Sequence, residues 1–181
     1  MYQWGAQSSV IRDLFTYGRK QAAKIGDENV FDFSIGNPTV PAPECIKDAV
    51  TEIMETRTAV AVHGYTAAAG DPVVRKGLAD YMNKTFNAGV EAGNFYMTCG
   101  AAASLTITLK ALVESPDDEI VVIAPYFPEY TAFIKNSGAE KVVVPPDMES
   151  FQIPFDALEQ AITSKTRALI INSPNNPSGV V

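Results

Sequence analysis

Ile120-Val121-Val122-Ile123-Ala124, stopped by Pro125, is the stretch on which the fold class turns. Five apolar residues without a polar interruption do not suit a strand with one wet face. They suit a strand covered on both faces, as in a parallel sheet between helices. Ala168-Leu169-Ile170-Ile171, closing on Asn172, repeats the pattern, and residues 141–144 supply another strand between them. Helical stretches separate the strands, over 128–136 with Gly138 as the stop, and over 155–162. Strands alternating with helices predict an α/β fold with parallel strands and right-handed crossovers. Upstream, residues 95–99 are expected as a further strand, leading through Gly100 into a helix over 102–113.

The first ninety residues are less regular. Ser8 and Ser9 are good caps for a helix reaching about Lys24, with Val10, Ile11, Leu14 and Phe15 at helical spacing. Residues 30–35 read as a short strand broken by Gly36-Asn37-Pro38. Pro43 opens a helix with Ile46, Ala49, Val50, Ile53 and Met54 on one face. At Asp71-Pro72, Asp caps a third helix and Pro takes its first position; Val74, Leu78, Tyr81 and Met82 form the stripe.

Composition removes whole classes of function. The 181 residues allow one domain, or one and a fraction. A net charge of −7 argues against binding a nucleic-acid backbone. With 46% hydrophobic and 19% charged residues, the chain is too apolar for disorder. Cys45, Cys99 and the single His63 make neither a disulfide scaffold nor a zinc set. The N-terminus has no signal-peptide pattern, and no uncharged apolar run approaches the ~20 residues of a membrane span. A soluble cytoplasmic protein with no nucleic-acid or membrane partner is expected.

Ligands in open parallel sheets bind beyond the carboxyl ends of the strands. Three such ends stand out. Thr98-Cys99-Gly100-Ala101-Ala102-Ala103-Ser104 offers small residues and helix-start amides to an anion, or is simply a tight turn whose small residues pack. Ala124-Pro125-Tyr126-Phe127-Pro128-Glu129-Tyr130 sets aromatics on a proline-fixed loop, for stacking on a flat ring or for covering the core. Asn172-Ser173-Pro174-Asn175-Asn176-Pro177-Ser178-Gly179 has the composition of a turn. Its two X-Pro bonds would also position a side-chain amide, and an Asn-Pro bond here is open to the cis form. His63 reads as a polar loop residue, Asp117-Asp118-Glu119 as a solvated loop, and the nine lysines as exposed.

Taken in order, these pieces resemble the class I/II aminotransferases, pyridoxal-phosphate enzymes of the aspartate aminotransferase fold. Ser34-Ile35-Gly36-Asn37-Pro38 resembles S-x-G-x-P; Tyr65, Gly70 and Arg75 resemble Y-x4-G-x4-R; Gly100-Ala101-Ala102 resembles the phosphate-cradling turn. The 125–130 stretch resembles P-x-aromatic-P-x-Y, and the 172–179 stretch resembles N-x-P-x-N-P-[ST]-G. The resemblance implies a fold-type-I major domain, incomplete here, with a mostly parallel sheet flanked by helices. It implies an N-terminal arm and small-domain segment over 1–45 and the first part of the large cofactor-binding domain over 46–181.

The resemblance also implies roles. Gly100, Ala101 and Ala102 would hold the phosphate of pyridoxal 5'-phosphate, Phe127 would stack on its ring, and Asn176 would bond its 3-hydroxyl. Gly36 would lie against the substrate carboxylate, with Asn176 beside the substrate, and Tyr65 would reach a neighbouring subunit's phosphate, so a homodimer is implied. The activity implied belongs to amino-acid metabolism: transfer of an amino group between an amino acid and a 2-oxo acid. The alternatives are another fold-type-I enzyme, such as a C–S lyase or decarboxylase, or the cofactor-binding half of a transcription regulator. A nucleotide-binding module would want a G-x-G-x-x-G or G-x-x-x-x-G-K-[ST] loop, which 98–102 lacks. Ala101 and Ala102 bring no hydroxyl to a phosphate, and Phe127 stands where Trp or Tyr is more usual. No catalytic residue is assigned within the chain: the Schiff-base lysine, in its S-x-x-K context, is expected beyond Val181.

Overall fold

The computed structural model describes residues 10–36 and 40–181. The Ser8 and Ser9 caps and the Asn37-Pro38 pair therefore lie outside the described residues. The chain forms two compact units that divide between Gly64 and Tyr65. The boundary read from sequence, after residue 45, falls inside the first of them.

In the first unit, helix α1 (Val10–Ile25) packs on a 3-10 turn at Asp27–Asn29, and α2 (Glu44–Thr56) packs on a short α3 (Ala59–His63). Pro43 sits at the cap of α2, one place earlier than a first-turn proline. The structure corrects two expectations here. Residues 30–35 form no strand, because no described segment pairs with them; Phe31 and Phe33 stand in solvent. His63 ends a helix rather than sitting in a loop, since Thr58 Oγ1 accepts the Ala61 amide at 3.3 Å and starts a turn of helix.

The second unit carries α4 (Pro72–Phe86), α5 (Ala101–Leu112), β1 (Glu119–Ile123), α6 (Tyr130–Ser137), β2 (Glu140–Val144), α7 (Phe155–Ala161) and β3 (Thr166–Ile170). Asp71 caps α4 by accepting the Val73 and Val74 amides, with Pro72 at its first position. Gly138 ends α6 in the left-handed conformation. The strands are parallel, in the order β2-β1-β3.

The central β1 is wholly covered, as its sequence requires. Ile120 and Val122 face Leu109, Tyr130 and Ile134 on one side; Val121 meets Val144 and Leu158 on the other. Each such side chain contributes roughly 1.5–3 kcal/mol by burial. The helices lie on opposite faces because the chain steps from β1 to β2 in one direction and back past β1 to β3 in the other. With right-handed crossovers, reversing direction changes the face.

Three expectations fail in this unit. β3 is only half covered, and Ile171 beyond it is exposed, because no described strand lies along its outer side. Residues 95–99 belong to no ladder, and only Met97 bonds across, its amide donating to Ala69 O at 3.0 Å. Asp118 is not solvated. It is 5% exposed, and its carboxylate accepts the Glu114 and Ser115 amides and Arg167 Nε at 2.8, 2.9 and 2.9 Å. Arg167 reaches it from a bulge: Glu119 pairs with Thr166 but Ile120 with Ala168, so Arg167 is the extra residue.

The Glu114 amide first, then Arg167 and the Ser115 amide, hold the Asp118 carboxyl below its ordinary 3.8. A lowered carboxylate stabilises the fold above its unfolded pKa and loses that contribution as pH falls through the folded one. Urea midpoints of wild type and Asp118→Asn should therefore differ fully above about pH 5 and converge in stronger acid. A gap that widens on acidification would contradict this.

Gly70 explains why a glycine stands five residues after Tyr65. Its φ is +98°, and an added Cβ would lie 2.6 Å from Met97 Cβ and closer still to Met97 Cγ. The 65–70 loop thus lies directly on the segment that leads to Gly100. Gly70→Ala is expected to cost about 1–3 kcal/mol through this overlap and the positive φ, read as a lower urea midpoint at unchanged slope. Arg75 braces the same segment from α4, donating to Ala92 O at 3.4 Å.

Candidate functional site

The loops after β1 and β3 leave the carboxyl ends of adjacent parallel strands, and one side chain joins them. Asn175 Nδ2 donates to Pro125 O at 2.9 Å. The 172–180 loop is closed on itself by Asn176 N to Asn172 Oδ1 (2.7 Å), Gly179 N to Asn175 O (2.7 Å) and Asn175 N to Val180 O (2.8 Å). The Ala124-Pro125, Ser173-Pro174 and Asn176-Pro177 bonds are all cis. With its backbone engaged in this way, Asn176 keeps an exposed side-chain amide with no hydrogen-bond partner among the described residues.

On the facing loop the aromatics form one stack. Tyr126 lies nearly parallel to Tyr130 (6.4 Å, 14°), and Phe127 meets Tyr130 edge to face (5.6 Å, 84°). Phe127 is half-buried, with its inner side on the Leu109–Ile134 core. The core-covering reading holds for Tyr130, which is buried, and Phe127 packs on the same core while staying half-exposed. Under the two loops lies a cavity of about 90 Å³ between Ile123, Tyr126, Phe151, Ile170 and Asn172.

The third loop is the start of α5. Gly100 has φ 90° and ψ 174°, a region that is essentially glycine's alone. The first intrahelical bond is Ser104 N to Gly100 O, so the amides of Ala101, Ala102 and Ala103 donate to nothing among the described residues. Ala101 and Ala102 are exposed. Thr98 and Ser104 hold the turn from either side. The Thr98 hydroxyl donates to Gly100 O at 3.0 Å and shares a 2.6 Å bond with Ser104 Oγ. Sequence reasoning missed these two, although hydroxyls flanking a lone glycine before a helix were a usable signal. Leu105 of α5 joins the core that carries Tyr126, Phe127 and Ile170, so the α5 turn and the aromatic loop are built on one sheet face.

The other predicted site residues stand apart. Tyr65 is fully exposed, and its hydroxyl bonds nothing among the described residues. Gly36 belongs to the first unit, and a Cβ on it would meet nothing within 4 Å. The lysines are not all exposed: Lys141 on β2 is half-buried, because Tyr126 and Thr131 close over its ammonium.

Residues 28–181 match the family model for aminotransferase class I and II. An aminotransferase from Eubacterium rectale has 53% sequence identity and a TM-score of 0.95, over 98% of this chain and 45% of that one. The aspartate aminotransferase of Pyrococcus horikoshii is 31% identical over 172 residues, 94% of this chain and 41% of the relative. An asparagine–oxo-acid transaminase of Streptococcus mutans is 29% identical over 170 residues, 93% of this chain and 42% of the relative. The chain thus spans about two fifths of the length of these two enzymes.

Proposed function

The chain belongs to the class I and II aminotransferase family, and on that premise we propose that it supplies the cofactor cradle of a pyridoxal-phosphate enzyme that moves an amino group between an amino acid and a 2-oxo acid. The observation that carries this reading is the Asn175–Pro125 hydrogen bond, which ties the loop carrying the half-exposed Phe127 to the loop carrying the free Asn176 amide at neighbouring strand ends. The residues fit the group. Three unpaired amides at the start of α5 suit a phosphate without any hydroxyl from Ala101 or Ala102. Phe127 would offer its ring for stacking, and the Asn176 amide would donate to a 3-oxygen while its backbone stays held by Asn172.

When bound, pyridoxal phosphate supplies the electron sink for reactions at the amino acid's α-carbon. The chain's own work is orientation. Gly100 would aim the α5 amides, Phe127 would set the ring plane and Asn176 would fix one edge. A cytoplasmic homodimer completes the proposal, with Tyr65, exposed and unbonded, reaching a neighbouring subunit's phosphate.

Equilibrium dialysis of the chain against pyridoxal phosphate is expected to show weak, saturable binding. Asn175→Ala should weaken it about tenfold, the worth of one well-formed hydrogen bond. Unchanged affinity in that variant would overturn the reading of the tie. No transamination is expected, since none of the nine lysines stands in an S-x-x-K context. Borohydride reduction and peptide mapping that found one stoichiometric lysine adduct, together with turnover, would refute this.

A further inference from the structure

Lys141 is an unusual cation. It points from β2 onto the sheet face covered by α6 and is half-buried. Its Nζ donates to Tyr126 Oη at 2.6 Å and to Thr131 Oγ1 at 2.8 Å, and stands 5.0 Å from the Tyr126 ring centroid. Among the described residues no carboxylate is within ion-pair range of it. A partly desolvated ammonium satisfied only by two neutral hydroxyls gains little for stability. Its position is more informative. The phenol it holds belongs to the ring stacked on Tyr130, whose edge-to-face partner is Phe127. The residue before Tyr126 is Pro125, whose carbonyl takes the Asn175 amide. One ammonium therefore anchors both the aromatic stack and the backbone that joins the two loops.

We propose that Lys141 is a positioning residue for the cofactor ring: by gripping the Tyr126 phenol it fixes the Tyr126–Tyr130–Phe127 stack, and through it the plane that Phe127 presents. The proposal rests on the pyridoxal-phosphate reading above. Burial raises the Tyr126 pKa, but the Lys141 and Thr131 hydrogen bonds and the nearby positive charge outweigh it, and the phenol is lowered from 10.0.

The test uses Tyr126→Phe, Lys141→Met, the double variant and Lys141→Arg, with three measurements on each. In equilibrium dialysis, both single variants are expected to raise the pyridoxal-phosphate dissociation constant about five- to tenfold. The double variant should be no worse than either, because both changes cut one link. Lys141→Arg, which keeps a cationic donor, should recover part of the loss. In alkaline titration followed at 295 nm, wild type should show one phenol ionising ahead of the rest, delayed in Lys141→Met. Urea midpoints of the cofactor-free chain give the structural contribution separately. Midpoints that fall while affinities hold would reduce Lys141 to a structural role and overturn the proposal. So would additive losses in the double variant, or the absence of an early phenol. If wild type itself fails to bind, the cofactor reading fails and this proposal with it. Binding by wild type with equal affinity in every variant refutes the positioning role alone. Tyr126→Phe keeps the ring, so the question stays answerable if Lys141→Met does not fold.

Discussion

Ile134→Ala is expected to lower the unfolding free energy by about 2–5 kcal/mol. Ile134 is 0% exposed and sits where α6 meets Ile120 and Val122. Helix α6 has only eight residues, too few to persist without its packed face. Stepping down to alanine leaves a void between helix and sheet that the covered strand β1 cannot move to fill. Against a typical total of about 5–15 kcal/mol, this is a large fraction. Val143→Ala, at a half-open position of β2, is the comparison and should cost under about 1 kcal/mol. Urea unfolding measures both. Equal losses at the two positions would contradict the placement of the core.

Gly100→Val is expected to cut pyridoxal-phosphate affinity by at least about tenfold and to lower the urea midpoint as well, since holding a β-branched residue at this φ and ψ costs of order 1–3 kcal/mol. Nothing lies within 4 Å of a Cβ at this position, so the penalty is conformational rather than a collision. The backbone relaxes by turning the peptide, and that turn re-aims the amides of Ala101 and Ala102. Gly93→Ala, with neither a positive φ nor a close neighbour, is the silent control. Dialysis that found wild-type affinity in Gly100→Val would remove the α5 turn from the site.

What could be read from sequence was what short stretches decide for themselves. The caps at Asp71 and Gly138 and the apolar runs around Val121 and Leu169 carry their cause within a few residues, and the structure has them there. The strands expected at 30–35 and 95–99 have the right composition, but a strand exists only beside a partner, and no described segment supplies one. Asp118 was misread for a related reason. Its burial depends on Arg167, 49 residues away, and on a bulge that places it. Lys141 looks like any surface lysine until Tyr126 and Thr131 close over it. The three site loops were legible as strand ends with special residues. Their mutual attachment through Asn175 was not, because a side-chain bond spanning 50 residues leaves no local pattern.

The surplus residue in β3 gives the strand some tolerance of changes in length. Side chains alternate along a strand, so losing one residue within it normally turns every later one to the opposite face. At Arg167 the count already runs two against one, and Ala168, Leu169 and Ile170 stay in step with Ile120, Val121 and Val122 beyond it. A single-codon deletion there would shorten the chain and forfeit the clasp on Asp118, yet leave the apolar pattern inherited by the rest of the strand unchanged. The same deletion one place later would keep the register only by seating Arg167 opposite Ile120, on the face where Ala168 now packs against the core. Length variation in descendants of this chain should therefore collect at residue 167 and be purged from residues 168–170.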